Sequence, residues 1–238
     1  MIRIKNLRKS YNGKKVLKGL DLEVKAGETL VILGRSGAGK SVLLRLIMGL
    51  ETQDEGTIEI HNGGNLRMGM LFQGGALFDS LTIEENTAFY LQEHPLEGRF
   101  LNPQEISERV SQALAMVGLE GTNQLLPSDL SGGMRKRAAL ARLIVYRPAL
   151  LLYDEPTTGL DPITSMQINE LIVKTQKELG STSIVVTHDL CSTFHIADRI
   201  ALNHEGKILY ITTKEEFLKL EDPLVKTFLK NSVPEGLT

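Results

Sequence analysis

The sequence predicts an α/β fold in which a mainly parallel β-sheet is covered by helices on both faces. Residues 30–33 form a short, continuously apolar run, which is typical of a strand buried on both faces. A glycine-rich stretch at 34–39 follows this strand, and residues 41–48 then predict a helix. Toward the C-terminus, strand-like and helix-like segments alternate, as they do in parallel sheets with helical crossovers.

Two kinds of pattern predict the other strands. Residues 20–24 and 58–60 alternate apolar and acidic side chains, as half-buried strands do. The apolar run at 150–153 predicts a buried strand, and residues 183–186 predict another.

Capping residues and apolar spacing predict a helix in the middle third of the chain. Asn102 is suited to the N-cap, Pro103 to the first helical position and Glu105 to the capping acid. Apolar residues then repeat at helical spacing through Val117, and Gly118 is suited to end the helix.

Three more helices and a hairpin are predicted between residues 131 and 211. We expect helices at 131–145, 162–178 and 189–197, and a hairpin formed by 200–202 and 207–211.

The composition is that of an ordinary globular protein. The 238 residues are 42 % apolar and 24 % charged, which excludes a disordered chain, a collagen and a membrane-spanning bundle. The net charge of −2 predicts no field that attracts polyanions, so no nucleic-acid partner is expected. The first eleven residues lack the apolar segment of a secretory signal, and no apolar run approaches the ~20 residues of a membrane helix. We expect Cys191, the single cysteine, to be a small buried apolar residue in a reducing compartment.

The C-terminal part predicts one more helix. After Pro223, apolar residues recur at helical spacing at Leu224, Val225, Phe228 and Leu229. Two interpretations stay open: this helix covers the core of its own chain, or it docks on a second subunit or an accessory protein.

A phosphate-binding motif follows the first buried strand. Residues 34–41 fit the pattern G-x-x-x-x-G-K-[ST] between a strand and a helix, which is the context that the motif needs. Its glycines allow successive N–H groups to point at phosphate oxygens, and the next helix adds its positive N-terminal end. Lys40 can reach the β- and γ-phosphates of a nucleoside triphosphate, and the Ser41 hydroxyl can bind Mg²⁺.

Two acidic residues end the strand predicted at 150–153. Ligands of open α/β sheets bind beyond the carboxyl ends of the strands, so Asp154 is placed to hold Mg²⁺ directly or through water. Glu155 can orient an attacking water as a general base. Alone, such a pair more often marks a strand that gives way to a solvated turn. Together with the phosphate loop, it predicts a catalytic site.

A serine and two glycines precede the helix predicted at 131–145. Ser131 is suited to the N-cap, and Gly132 and Gly133 expose backbone N–H groups to an anion. These residues alone favour an ordinary capped turn. A second phosphate-binding turn makes sense if it serves the nucleotide of another subunit.

Together, these motifs resemble the nucleotide-binding subunits of ABC transporters. The phosphate loop resembles their Walker A motif, residues 130–134 their signature turn, residues 150–154 their Walker B motif and residues 158–161 their D-loop. The resemblance implies a P-loop NTPase fold, the ABC cassette, with an N-terminal antiparallel β part and a helical subdomain.

The resemblance also implies a division of the chain. The nucleotide-binding domain is expected at 1–211, with its core at 1–73 and 150–211 and its helical subdomain at 74–149. A C-terminal helical tail is expected at 212–238.

Residue roles and the cofactors ATP and Mg²⁺ follow from the same resemblance. The expected catalytic residues are Glu155, His188, Lys40 and Gln73, and the expected metal-binding residues are Ser41, Gln73 and Asp154. Asp161 is expected at a subunit interface, and Tyr11 is expected to stack on the adenine. The full set of expected nucleotide contacts is Tyr11, Gly34, Arg35, Ser36, Gly37, Ala38, Gly39, Lys40, Ser41, Val42, Ser131, Gly132 and Gly133.

The resemblance implies partners as well. Two copies are expected to close head to tail over two ATP molecules, so that the signature turn of each copy completes the site of the other. The other expected partners are integral membrane permease subunits, a lipid-binding substrate protein and a small accessory regulator. The expected location is peripheral, on the cytoplasmic face of the inner membrane.

A narrower resemblance indicates the substrate. Residues 130–142, 153–163 and 222–229 resemble the ATPases of maintenance-of-lipid-asymmetry (Mla) systems, which move phospholipids between bacterial membranes. Met134 departs from the glutamine that most of the ABC family has there, and residues 135–137 fit a solvated basic turn of helix equally well.

The predicted function is therefore ATP hydrolysis that powers a membrane transporter for phospholipid. The alternative is an ATPase subunit that serves another small solute, such as an amino acid. A soluble ABC ATPase acting on ribosomes or DNA is disfavoured by the single cassette and the absence of sustained heptads. A regulator that binds nucleotide without hydrolysis is disfavoured by Glu155 and His188.

Overall fold

The computed structural model of the chain describes residues 2–61, 66–96 and 98–232. It forms two compact units: the first unit comprises Met1–Asn65 and Thr182–Thr238, and the second unit comprises Leu66–Ser181. The last six residues of the predicted tail lie outside the described residues. The domain boundaries expected from the sequence stay predictions.

Strands and helices follow one another along the described part of the chain. The strands are β1 (Ile2–Tyr11), β2 (Lys14–Val24), β3 (Thr29–Gly34), β4 (Glu55–Ile60), β5 (Met68–Leu71), β6 (Leu150–Asp154), β7 (Thr182–Thr187), β8 (Arg199–His204) and β9 (Lys207–Thr213). The helices are α1 (Lys40–Ile47), α2 (Ile83–Glu93), α3 (Pro103–Met116), α4 (Gly132–Ile144), α5 (Pro162–Leu179), α6 (Leu190–Ile196), α7 (Lys214–Leu218) and α8 (Pro223–Ser232).

An antiparallel sheet opens the first unit. Its strand order is β2-β1-β4, and β1 pairs antiparallel with both neighbours. Alternate residues of β1, including Ile2 and Ile4, are buried, while their neighbours carry the polar face. The strands predicted at 20–24 and 58–60 are confirmed within β2 and β4.

A parallel arrangement surrounds the strand before the phosphate loop. β3 pairs in parallel with β7 on one side and with β8 on the other, and every residue of β3 is buried. β9 returns antiparallel to β8, which confirms the predicted hairpin. Pairing with two strands leaves β3 no free edge, and the burial of consecutive residues means that both of its faces are covered, which accounts for the apolar run in the sequence.

The second unit places helices beside a parallel pair of strands. β5 pairs in parallel with β6, α4 packs against β5, and the helices α2, α3 and α4 pack on one another. The capping predictions for α3 are confirmed. Asn102 Oδ1 accepts a hydrogen bond from the Glu105 amide at 2.9 Å, and the Glu105 carboxylate accepts one from the Asn102 amide at 2.8 Å.

The predicted fold class is confirmed, because parallel pairing dominates around β3 and β6 and an antiparallel sheet lies at the N-terminus. The prediction for Cys191 is wrong. Its side chain is exposed, because α6 turns Leu190, Thr193 and Ile196 toward the core. No helix in the described residues is long and apolar enough to cross a membrane.

The predicted tail helix is present as α8. Val225 is fully buried, and α8 packs against α6 of the same chain. The other residues of the apolar stripe, Leu224, Phe228 and Leu229, are half-buried. The burial of Val225 favours the interpretation that α8 covers its own core, and the partial exposure of the other three leaves area for a partner.

Candidate nucleotide site

The loop between β3 and α1 contains two glycines with left-handed backbone conformations. Gly37 and Gly39 adopt φ angles of +79° and +87°, a region in which residues with a side chain are strained. A Cβ at Gly39 would lie 2.9 Å from Val16 Cγ1. Arg35 and Ser36 are exposed at the tip of this loop, so an anion can reach it from solvent.

Lys40 lies at the base of this loop, at the start of α1. Its side chain is 5 % exposed, and Nζ donates to the carbonyl oxygens of Gly34 at 2.7 Å and Arg35 at 3.2 Å. No side chain caps α1, so the helix presents its positive end toward the loop. Ser41 and Val42, the next residues of the helix, are half-buried.

Asn203 supports the loop from the neighbouring strand, and no motif in the sequence predicts this role. Asn203 Nδ2 donates to the Ala38 carbonyl at 3.1 Å. A Cβ at Gly34 would lie 2.6 Å from the Asn203 carbonyl oxygen. Parallel strands end at one edge of a sheet, so the pairing of Gly34 with Asn203 across β3 and β8 is what brings this side chain to the loop.

His188 lies at the same edge. Leu33 of β3 is the register partner of Thr187 of β7, so Gly34 and His188 are the next residue on each strand's carboxyl side. His188 is exposed. The following residue, Asp189, accepts hydrogen bonds from the amides of Cys191 and Ser192 and so begins α6.

Tyr11 stands at the end of β1 with 39 % of its surface exposed. Its hydroxyl donates to the Glu51 carboxylate, which also accepts a hydrogen bond from Arg45 Nε at 2.5 Å. Partial burial and the Glu51 carboxylate raise the pKa of Tyr11. The hydrogen bond from Tyr11 lowers the pKa of Glu51. The sequence predicts a role for Tyr11 but none for Glu51 or Arg45, which tie Tyr11 to the end of α1.

In the second unit, Gln73 and the acid pair lie at the carboxyl edge of β5 and β6. Leu71 is the register partner of Tyr153, so Gln73 and the pair Asp154 and Glu155 follow strands that end side by side. Asp154 is 6 % exposed and Glu155 is 8 % exposed, whereas Gln73 is exposed. The structure therefore brings these three predicted residues to one edge.

Glu155 holds an unusual backbone conformation. Its φ angle is +47°, in the left-handed region that a non-glycine residue rarely adopts. Thr158 stabilises the turn, because its amide donates to the Glu155 carbonyl at 3.2 Å and its hydroxyl donates to Glu155 Oε2 at 3.2 Å. Backbone strain of this kind is concentrated at functional sites.

Lys136 of α4 joins this edge, and the sequence predicts no separate role for it. The residue is 8 % exposed, and Nζ donates to the main-chain carbonyl of Gln73. Burial lowers the pKa of Lys136, while the charges of Asp154 and Glu155 act in the opposite direction.

The signature turn begins α4 as predicted. Ser131 Oγ accepts a hydrogen bond from the Met134 amide at 3.3 Å, and Ser131 and Gly132 are exposed. Behind them, Asp161 begins α5 by accepting hydrogen bonds from the amide and the hydroxyl of Thr164, at 3.0 and 2.6 Å. The hydroxyl contact lowers the pKa of Asp161.

No group of three or more His, Cys, Asp or Glu side chains in residues 2–61, 66–96 and 98–232 is arranged to hold a metal ion by itself. The expected ligand set instead consists of a hydroxyl, an amide and a carboxylate. Oxygen ligands of this kind fit Mg²⁺, which takes few ligands from the protein and keeps the rest from phosphates and water.

Comparisons with known proteins match this arrangement. The family model described as ABC transporter matches residues 17–158. The intermembrane phospholipid transport system ATP-binding protein MlaF of Haemophilus influenzae is 39 % identical, over 97 % of this chain and 90 % of that protein. The methionine import ATP-binding protein MetN of Clostridium tetani is 41 % identical, over 95 % of this chain and 74 % of that protein.

A solved structure is similar in fold as well as in sequence. It is a dimeric ATP-binding cassette in a post-hydrolysis state, bound to ADP and Pi. The TM-score is 0.79 and the identity 32 %, over 90 % of this chain and 98 % of that chain.

Proposed function

The chain belongs to the ABC transporter family and is an ATPase subunit of a transporter, and we propose that the transported substrate is phospholipid. The observation that carries the substrate proposal is the 39 % identity to a phospholipid transport ATPase along almost the whole chain. The 41 % identity to a methionine import ATPase supports a second candidate, a transporter of a small solute such as an amino acid.

We propose that the loop at 34–41 binds the phosphates of ATP. Lys40 Nζ already contacts two loop carbonyls, so phosphate oxygens arriving in the loop would replace neutral acceptors with charged ones. The uncapped N-terminus of α1 adds N–H donors for the same oxygens. The exposed ring of Tyr11 supplies a face for the adenine.

We assign the metal-binding role to Ser41, Gln73 and Asp154. When bound, Mg²⁺ neutralises charge on the β- and γ-phosphates. The burial of Asp154 supports this role, because a buried carboxylate is stabilised by a cation.

We assign the general base to Glu155. The attacking water would give its proton to the Glu155 carboxylate as its oxygen forms a bond to the γ-phosphorus. The bond from that phosphorus to the bridging oxygen then breaks, and ADP takes the electron pair. His188, exposed at the edge where β7 ends, is assigned the stabilisation of charge on the γ-phosphate.

We propose that a second copy completes each site. Ser131, Gly132 and Gly133 would present the hydroxyl and N–H groups of their exposed turn to the nucleotide of the partner copy. The dimeric state of the similar ATP-binding cassette supports this arrangement. Positioning between chains would then make hydrolysis depend on dimer closure.

The general-base assignment is tested with Glu155→Gln. The amide cannot take the proton, so we expect turnover to fall by about 100-fold or more while ATP still binds. Size-exclusion chromatography with ATP should show a persistent dimer of the variant. Glu170→Gln, an exposed glutamate on α5, is the matched control. Turnover at the unmodified rate in Glu155→Gln would contradict the assignment.

The substrate proposal needs the chain in its membrane assembly. We propose that it sits on the cytoplasmic face of the inner membrane beside permease subunits, a lipid-binding substrate protein and a small regulator. Purification from detergent-solubilised native membranes followed by mass spectrometry should recover a permease with enriched phospholipid. A permease with a solute-binding protein and no enriched lipid would instead favour the amino-acid candidate.

A further inference from the structure

Helix α4 holds the loop after β5 at two points. This loop, here called the Gln73 segment, comprises residues 73–81. Lys136 Nζ donates to the Gln73 carbonyl, and Arg142 Nη1 donates to the Ala76 carbonyl at 2.5 Å. The two cations lie on the helix that begins at the signature turn, so α4 links that turn to the segment that carries Gln73.

Aromatic contacts support the hydrogen bond between Arg142 and Ala76. The guanidinium carbon of Arg142 lies 4.3 Å from the ring centre of Phe78 and 5.8 Å from that of Phe89. Ala76 has a φ angle of +52°, which a residue with a side chain rarely adopts without support. The bend at Ala76 is therefore held from the α4 side.

The far end of the segment is fixed by α2. Asn86 is fully buried, and its Nδ2 donates to the carbonyls of Phe78 at 3.0 Å and Leu81 at 2.9 Å. Its Oδ1 accepts from the Phe78 amide at 2.8 Å. With its far end fixed in this way, the segment depends on α4 for the position of its near end, where Gln73 lies.

Lys136 differs from the basic residues on either side of it. Arg135 donates to the Leu130 carbonyl at 2.7 Å, and Arg137 donates to the Gly118 carbonyl at 3.2 Å, at the end of α3. Lys136 is buried, donates to Gln73 and is attracted by the charges of Asp154 and Glu155. Among these three basic residues, Lys136 therefore interacts both with Gln73 and with the acid pair of the second unit.

We propose that Lys136 is a positioning residue for ATP hydrolysis: its ammonium group holds the Gln73 carbonyl beside Asp154 and Glu155, and so couples the position of Gln73 to the signature turn. The proposal rests on the proposed ATPase function of Glu155 and Gln73. It does not require Lys136 to touch the nucleotide. It predicts a loss of catalytic rate without a matching loss of ATP affinity.

The test compares three variants of the full chain. Lys136→Met keeps the apolar stem and removes the donor and the charge, Lys136→Arg keeps both, and Arg137→Met removes a neighbouring cation as the matched control. We expect Lys136→Met to lower kcat by about 10- to 100-fold while KM for ATP changes by less than about twofold. Lys136→Arg should restore most of the rate, and Arg137→Met should leave it unchanged.

Hydrogen exchange gives a second readout that does not depend on turnover. In Lys136→Met, the amides of residues 73–78 should exchange about tenfold faster than in the unmodified protein. Exchange in β3 and α1 should not change, which separates local release from general destabilisation. If Lys136→Met does not fold, the same measurements on Lys136→Leu, which also lacks the donor and the charge, replace it.

Different outcomes test the proposed ATPase function and the positioning role of Lys136. Unmodified protein that binds ATP and never hydrolyses it would overturn the proposed function, and exchange at 73–78 would still test the positioning role. Equal kcat and equal exchange in Lys136→Met and the unmodified protein would overturn the role of Lys136. A rise in KM with kcat unchanged would overturn it too, because Lys136 would then act in binding.

Discussion

Gly133 lies directly against Thr164: a Cβ added at Gly133 would be 2.5 Å from Thr164 Cγ2. This contact packs the signature turn against the first turn of α5, which Asp161 caps through its hydrogen bonds with Thr164. Carbon atoms cannot approach to 2.5 Å, so a Cβ at Gly133 requires the Thr164 side chain or one of the two helix starts to move. The glycine is required here for space, since its backbone is helical.

Gly133→Ala should therefore destabilise the protein by overpacking. We expect the free energy of unfolding, measured by urea denaturation, to fall by about 1–3 kcal/mol. ATP hydrolysis should fall as well, because the signature turn is displaced.

The control is the same Gly133→Ala change made in the Thr164→Ser variant. Serine removes Cγ2 and keeps the hydroxyl that donates to Asp161 at 2.6 Å. In this background Gly133→Ala should cost less than about 0.5 kcal/mol, because the clash is gone and alanine favours helix. An equal loss in both backgrounds would show that the clash with Thr164 is not the cause.

Asn203→Leu should separate nucleotide binding from stability. Asn203 Oδ1 is buried and has no hydrogen-bond partner among the described residues, so an apolar side chain of similar size should offset the loss of the hydrogen bond to Ala38 and change the melting temperature little. The loss of the donor to Ala38 should weaken ATP binding by about 1–2 kcal/mol, which is roughly five- to thirtyfold in Kd.

Titration of ATP against Asn203→Leu by calorimetry checks this expectation. His204→Leu, at the half-exposed next position of β8, is the control and should bind ATP as the unmodified protein does. An unchanged Kd in Asn203→Leu would mean that the loop keeps its shape without this contact.

Glu105 should give the protein an acid-sensitive contribution to stability. The Arg99 guanidinium and the Asn102 amide lower the pKa of Glu105 to about 2. Because the folded-state pKa lies below the ordinary value near 4.3, the contribution is present above about pH 4.3 and is lost as the pH falls toward 2.

The comparison with Glu105→Gln measures that contribution. The melting temperature of the unmodified protein should exceed that of the variant at pH 6, and the difference should shrink as the pH falls to 3. A constant difference for Glu105→Gln would contradict the prediction.

Val225→Ala tests which interpretation of α8 holds. Val225 is fully buried within its own chain, so its truncation should lower the free energy of unfolding by about 2 kcal/mol. If α8 covers its own core, this loss should not depend on protein concentration. A loss that appears only at concentrations where the protein self-associates would favour docking on a second copy.

Local sequence patterns predict those structural features whose contacts join residues close together in the chain. The glycine-rich loop between β3 and α1 and the Asn102–Glu105 capping box depend on residues within a few positions of one another, and both are where the sequence predicts them. The sequence does not predict β1, because its polar residues outnumber Ile2, Ile4 and Leu7, which face the core, and a register shift between Ile4 and Leu7 breaks the alternation. A strand with one buried face gives a weaker signal than a strand with two.

The sequence does not predict contacts in which a side chain bonds to the backbone of a residue far away in the chain. Lys136 is 63 positions from Gln73 and bonds to its main-chain carbonyl, so no side-chain type at position 73 predicts the pair. Cys191 was assigned to the core on residue type alone. The helical spacing of Leu190, Thr193 and Ile196 would have placed it on the opposite face.

The outward position of Cys191 makes the chain suitable for spectroscopic labelling as it stands. A maleimide-linked spin label can reach this thiol on α6, and the sequence contains no second cysteine to compete for it. The label would sit three residues beyond His188. In a symmetric pair of copies there would be one label per chain, so every interlabel distance would be intermolecular and would follow closure of the pair directly.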